Sequence, residues 1–239
     1  MQDVFKRYEK KYLITTQQAA IVEAVLSARM VPDRFDAYWV QNLYFDTDNW
    51  DVIRTSMQRP YYKEKLRLRY YGVMDANSSG PVFLELKKKC AGIAYKRRIA
   101  LPQEVLAQSL GEVLGRETTQ IARELQFYLR TTEVAPKLFV AYRRRAFAGK
   151  EDVGLRVTLD AEIRYRSEQL HFHQPDEGRL VLPETHHLME IKTPTSIPLW
   201  LARLCSDNGI FAGSYSKYAT CYTDYWQRTH VERAVEASA

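Results

Sequence analysis

Tyr62-Lys-Glu-Lys-Leu-Arg-Leu-Arg-Tyr-Tyr71 places Lys65, Arg67 and Arg69 at every second position, with Leu66, Leu68 and Tyr70 between and after them. A period of two is that of a β-strand, so this segment has one cationic and one apolar face. The alternation recurs. Glu85, Lys87 and Lys89 alternate with Leu84 and Leu86, Arg7, Glu9 and Lys11 with Tyr8 and Tyr12, and Glu190 and Lys192 flank Ile191. A sandwich centred on such charges is excluded, because burying unpaired ions is very costly. An antiparallel β-barrel of about eight strands solves the problem by turning apolar faces outward against helices and charged faces inward around a tunnel. An open sheet facing solvent explains any one strand, but recurrence across many strands favours the barrel. The expected class is α+β.

Working outward, strands are expected at 4–14, 38–46, 62–71, 81–89, 94–101, 137–147, 153–160, 163–173, 179–182 and 186–192. Helices are expected over 17–30 after the Thr15-Thr16 cap, to residue 57 after Asp48-Asn49, from Pro102 to 114, over 118–130, over 197–208 closed by Gly209, and over 216–228. No long Gly/Ser/Pro linker and no internal repeat divides the chain, so residues 1–239 read as one domain.

The chain has 239 residues, 46% of them hydrophobic and 27% charged, enough for one sizeable core. Its net charge of +6 is unevenly spread: residues 63–69 carry +3, 85–98 carry +5 and 137–145 carry +4, leaving the remainder acidic. Charge concentrated in strands points to a defined anion site rather than loose adhesion to nucleic acid or lipid. Cys90, Cys205 and Cys221 are far apart, which argues against a structural zinc site or disulfide framework and fits a reducing, cytoplasmic setting. No apolar leader stands at the N-terminus, and no stretch nears the roughly 20 apolar residues of a membrane span. Action at a membrane would need a partner protein. The P-loop and Gly-x-Gly-x-x-Gly signatures are missing.

Tyr8-Glu-Lys-Lys-Tyr12, Leu43-Tyr-Phe-Asp-Thr47, Lys65-Leu-Arg-Leu-Arg69, Leu84-Glu-Leu-Lys87, Tyr95-Lys-Arg-Arg98, Tyr142-Arg-Arg-Arg-Ala-Phe147, Leu155-Arg-Val-Thr-Leu-Asp160, Met189-Glu-Ile-Lys192 and Ser216-Lys-Tyr218 occur in this order. From about residue 4 to 225 the chain thus resembles the vacuolar transporter chaperone (VTC) catalytic domain, of the triphosphate tunnel metalloenzymes (CYTH-like). It looks like a stand-alone, bacterial-type member without accessory or transmembrane domains. The resemblance implies a tunnel that binds a nucleoside triphosphate such as ATP and transfers its γ-phosphoryl group to growing inorganic polyphosphate. It implies phosphate-binding roles for Lys11, Arg67, Arg69, Lys87, Lys96, Arg144, Arg156, Lys192 and Lys217, catalytic roles within that set for Lys11, Arg67, Arg69 and Lys217 together with Glu190, and metal-binding roles for Glu190 and Glu9. The usual first-strand Glu-x-Glu-x-Lys is here Arg7-Tyr-Glu9-Lys-Lys11, one carboxylate short, which moves the chain towards the VTC branch and away from a rich two-metal site.

The chemistry is consistent with that reading. A chain of phosphates needs many cations, arginine for bidentate contacts and lysine as a compact charge. A carboxylate-held Mn2+ or Mg2+ would bridge phosphoryl oxygens, since oxygen-only ligands suit hard cations. Water as nucleophile needs a carboxylate base, for which Glu9, Glu85 and Asp160 are candidates, whereas a terminal phosphate mainly needs alignment. Three readings stay open: polyphosphate polymerase, hydrolase of inorganic triphosphate, nucleotides or short polyphosphate, and non-catalytic polyanion binder, with polyphosphate, triphosphate or pyrophosphate as the expected inorganic ligands. A threaded phosphate chain fits better than a flat surface, so no specific nucleic acid is expected. Lys88 is expected to face outward, and Arg144 is chosen over Arg143 and Arg145 by the family match. His171, His173, His186 and His187 read as surface or pairing groups, and the tryptophans as packing.

Overall fold

The computed structural model of the chain describes residues 8–75, 77–91, 93–152 and 154–236, with residues 232–236 described by backbone alone; Arg7 lies outside them. The strands are β1 (Tyr8–Thr15), β2 (Met30–Pro32), β3 (Tyr38–Asp46), β4 (Tyr62–Tyr71), β5 (Val82–Cys90), β6 (Ile93–Leu101), β7 (Ala135–Gly149), β8 (Arg156–Arg166), β9 (Arg179–Leu180), β10 (His186–Thr193) and β11 (Ala212–Gly213). The helices are α1 (Thr16–Arg29), α2 (Asp51–Met57), α3 (Leu110–Gly115), α4 (Gln120–Thr131), α5 (Leu199–Asp207) and α6 (Lys217–Glu236). All strand pairs are antiparallel. They run β11-β1-β10-β8-β7-β3-β4-β5-β6, with β2 beside β7 and β9 beside β8.

The α+β expectation holds, with one correction: among the described residues the ladder is an open path whose ends, β11 and β6, are not hydrogen-bonded to each other. The sheet nevertheless curls on itself. Glu9 of β1 and Lys87 of β5, several strands apart along the ladder, act on each other's ionisation, and Lys11 of β1 acts on that of Lys65 of β4. The charged faces therefore share one lumen.

Outside that lumen the alternation delivers apolar residues to the helices, as burial of apolar area requires. Ala19, Val22 and Leu26 of α1, whose capping box runs from Thr15 to Gln18, pack on Tyr12, Ile14, Val157, Met189 and Ile191. Leu114 of α3 and Ala122, Leu125 and Tyr128 of α4 pack on Leu66, Leu68, Leu84 and Leu86.

Helix α6 behaves differently. Its Tyr218, Cys221 and Tyr222 join Tyr44, Leu138, Val140 and Leu188, which share strand faces with the inward charges, so α6 fills the lumen at one end. Tyr218 stacks on Tyr44 with centroids 4.2 Å apart and donates to Asp46 at 2.7 Å.

Several local expectations change. The strands expected at 153–160 and 163–173 merge into β8, which carries its extra residue near Glu162, at φ 51°, where its register with β7 shifts. His171 and His173 fall in a loop, and β9 keeps two residues of the four expected. The helix expected from Pro102 divides into a 3-10 turn, Gln103–Ala107, and α3. The first turn of α2 is capped not by Asp48-Asn49 but by Asp46, which accepts from the amides of Val52 and Ile53 at 2.9 and 3.0 Å. Among the described residues no helix is long and apolar enough to cross a membrane.

Candidate active site

Two carboxylate hubs organise the lumen. On the β4–β6 side Glu85, with 1% of its side chain exposed, faces Arg67 and Arg98 across its strand pairs. Arg67 donates twice to one of its oxygens, at 2.9 and 2.7 Å, and once to the Tyr44 hydroxyl at 3.0 Å. Lys96 and Arg98 lie 2.5 and 3.5 Å from the other oxygen. Arg69 is 3.8 Å away and is aimed by Asn42, whose side-chain oxygen accepts from its Nε at 2.8 Å. Burial opposes the charge on Glu85, but Arg67, Arg69 and Lys96 overcome it and hold the carboxyl far below its usual range.

The second hub joins β1, β7, β8, β10 and the start of α6. Asp160, fully buried, takes two bonds from Arg144 at 2.6 and 2.7 Å and lies 2.6 Å from the Lys217 ammonium. Glu190 meets Lys217 at 3.1 Å, Lys192 at 3.0 Å, Lys11 at 3.7 Å and Arg144 at 3.9 Å. Burial disfavours ionisation of Glu190, yet Lys217, Lys192 and Lys11 drive its pKa well down. Lys217, despite burial, is held cationic by Asp160 and Glu190, and its ammonium lies 4.5 Å from the Tyr142 ring centroid.

Every site residue expected from the sequence reaches this lumen face. Lys87 faces it without an ion pair among the described residues. Arg156 stands at the rim, half-exposed and 3.0 Å from Asp33. Lys88 points outward to Glu64 and Glu124. Arg144 is the inward arginine; Arg143 pairs with Glu162, and Arg145 with Glu23 and Asp36. Sequence reasoning left Arg98, Lys63 and Lys65 unassigned and overlooked Asn42, Tyr44 and Tyr142. The two-residue period does carry the first three; the last three are polar or aromatic residues whose role depends on cross-strand register.

The water-positioning expectation for Glu85 and Asp160 meets an obstacle: arginine and lysine cover their oxygens. Glu9 differs, with 30% of its side chain exposed and Lys11 3.4 Å away. Among the described residues no three His, Cys, Asp or Glu side chains gather to cage a metal. Glu9 and Glu190 share the Lys11 ammonium, which lies 3.4 Å from one and 3.7 Å from the other.

A family model described as the VTC domain matches residues 6–225. The chain belongs to the VTC domain family. No curated protein matches it. Among solved structures it is similar to the PH1819 protein of Pyrococcus horikoshii OT3, at 13% identity over 91% of this chain and 99% of that one, with a TM-score of 0.46. It is also similar to a Bacillus halodurans protein described as a candidate adenylate cyclase, at 14% identity over 95% and 91% of the two chains, TM-score 0.47. The Schizosaccharomyces pombe Mediator head module matches at 9% identity, over 85% and 91%, TM-score 0.44. Likenesses at this level say nothing of activity.

Proposed function

We propose that this VTC domain is a metal-dependent phosphotransferase that moves the γ-phosphoryl group of ATP, or another nucleoside triphosphate, onto growing inorganic polyphosphate in the lumen. One observation carries the reading: Glu85, Asp160 and Glu190 are each engaged by two or more cations and held ionised at low pKa. Such carboxylates are poor proton acceptors near neutral pH, so they suit a nucleophile that arrives already charged. A terminal phosphate meets that condition; water does not.

In this reading Arg67, Arg69, Lys87, Lys96, Arg144, Arg156 and Lys192 bind the non-bridging oxygens of the phosphates. Lys11 and Lys217, which converge on the same Glu190 oxygen, align the attacking and leaving oxygens and offset their charge. Glu190 and Glu9 would hold Mn2+ or Mg2+, which supplies charge neutralisation at the transferred phosphoryl group. Hydrolysis is the second reading, favoured by the partly exposed Glu9, which can reach water.

Incubating the protein with ATP and Mn2+ separates the outcomes. Long acid-labile chains support transfer, orthophosphate release supports hydrolysis, and unchanged ATP with tight polyphosphate binding supports a binding module. Arg69→Ala is expected to abolish both binding and turnover. Glu190→Gln is expected to stop turnover while keeping most of the anion affinity, since it leaves the surrounding cations in place; full metal-dependent activity in that variant would overturn the assignment of Glu190.

A further inference from the structure

The two faces of the β4–β5 pair are matched differently. Outside, Glu64 lies opposite Lys88, and the two form an ion pair at 3.1 Å. Inside, Lys65 lies opposite Lys87 and Lys63 opposite Lys89. Like charges placed directly across an antiparallel pair destabilise it. Among the described residues no carboxylate lies within ion-pair distance of these four lysines. Lys63 donates to the Ser56 carbonyl at 2.9 Å, and the Lys65 ammonium sits 5.8 Å from the centroid of Tyr218, beside the first turn of α6.

We propose that Lys63, Lys65, Lys87 and Lys89 form a second anion subsite of the lumen, taking phosphate groups beyond those met by Arg67 and Arg69. This rests on the lumen being a phosphate-chain site. The basic groups acting on Lys65 are Lys63 and Arg67 on its own strand, Lys87 on β5 and Lys11 on β1, and burial lowers the Lys87 pKa as well, to about 8. From α6 it meets the Tyr218 ring, whose hydroxyl is engaged by Asp46 of β3. Burial and then those cations lower the Lys65 pKa to about 7, so a fraction of the amine is neutral in the empty lumen. A bound phosphate reverses the local field and restores the ammonium.

Calorimetric titration with pyrophosphate, tripolyphosphate and a longer linear polyphosphate at about pH 8, in buffers of different ionisation heat, reads both affinity and proton transfer. Each ligand's own ionisation cancels between wild type and variant. Lys65→Met is expected to weaken tripolyphosphate and longer chains about tenfold, to weaken pyrophosphate less, and to reduce proton uptake. Lys65→Arg, permanently charged, is expected to restore affinity without restoring the uptake. Wild-type affinity and wild-type proton uptake in Lys65→Met would overturn the subsite while leaving the phosphate lumen standing. Absence of binding by any of the three ligands to wild type would remove both.

Discussion

Glu85 is the side chain through which much of the lumen's charge is balanced, and its ionisation has a measurable sign. Its folded pKa is depressed below the ordinary glutamate value of about 4.3, so its contribution to stability is complete above that value and is lost as pH falls towards the folded one. Urea unfolding midpoints should therefore vary little with Glu85 ionisation from neutral pH down to about 5 and then fall. Glu85→Gln should lose this part of the acid slope and cost about 3 kcal/mol near neutrality, because Arg67, Arg69, Lys96 and Arg98 lose their counter-charge. Added tripolyphosphate should recover part of that loss; a variant as stable as wild type in phosphate-free buffer would contradict the hub. The inward set was legible from a single strand, as Lys65-Leu-Arg-Leu-Arg69 demonstrates. The clamps were not, because Glu85 finds its arginines only once the registers of β4 and β6 are fixed.

At the scale of elements, α6 departs most from what its sequence suggested. Tyr218 and Tyr222 have the spacing of any helix packed on an outer wall, and nothing in that spacing says which side of the sheet receives them. The deciding neighbours, Tyr44, Leu138 and Leu188, belong to strands distant in the chain. Tyr218→Phe keeps the stacking on Tyr44 and removes the donor to Asp46, leaving a buried carboxylate one partner short. A cost of about 1–3 kcal/mol is expected by chemical denaturation, and a neutral result would place the α6 end elsewhere. The bend of β8 at Glu162 was equally hidden, since neither glycine nor proline marks it. In a regular strand Asp160 and Ile163, three residues apart, would fall on opposite faces.

For the whole molecule, the net charge of +6 understates the field inside, where β4, β5 and β6 contribute their cations to one enclosed face. Polyanions should stabilise the fold by mass action. At a hundredfold its dissociation constant, tripolyphosphate should add about 2.7 kcal/mol and raise Tm by roughly 5–10 °C, with the dissociation constant itself rising with salt. A thermal scan without any shift would argue against an anion-binding lumen. The general barrel-like plan and its inward charges were readable because strand period survives in the sequence; closure was not, since it depends on edges that no local pattern records.

Those edges carry a consequence for access. Where β6 and β11 end the ladder, no strand pairing among the described residues joins one edge to the other. Parting the wall there would leave every strand pair of the ladder intact. A long polymer could then be laid in sideways through a slit, in the manner of a cable into a slotted conduit, without a free end having to find the mouth.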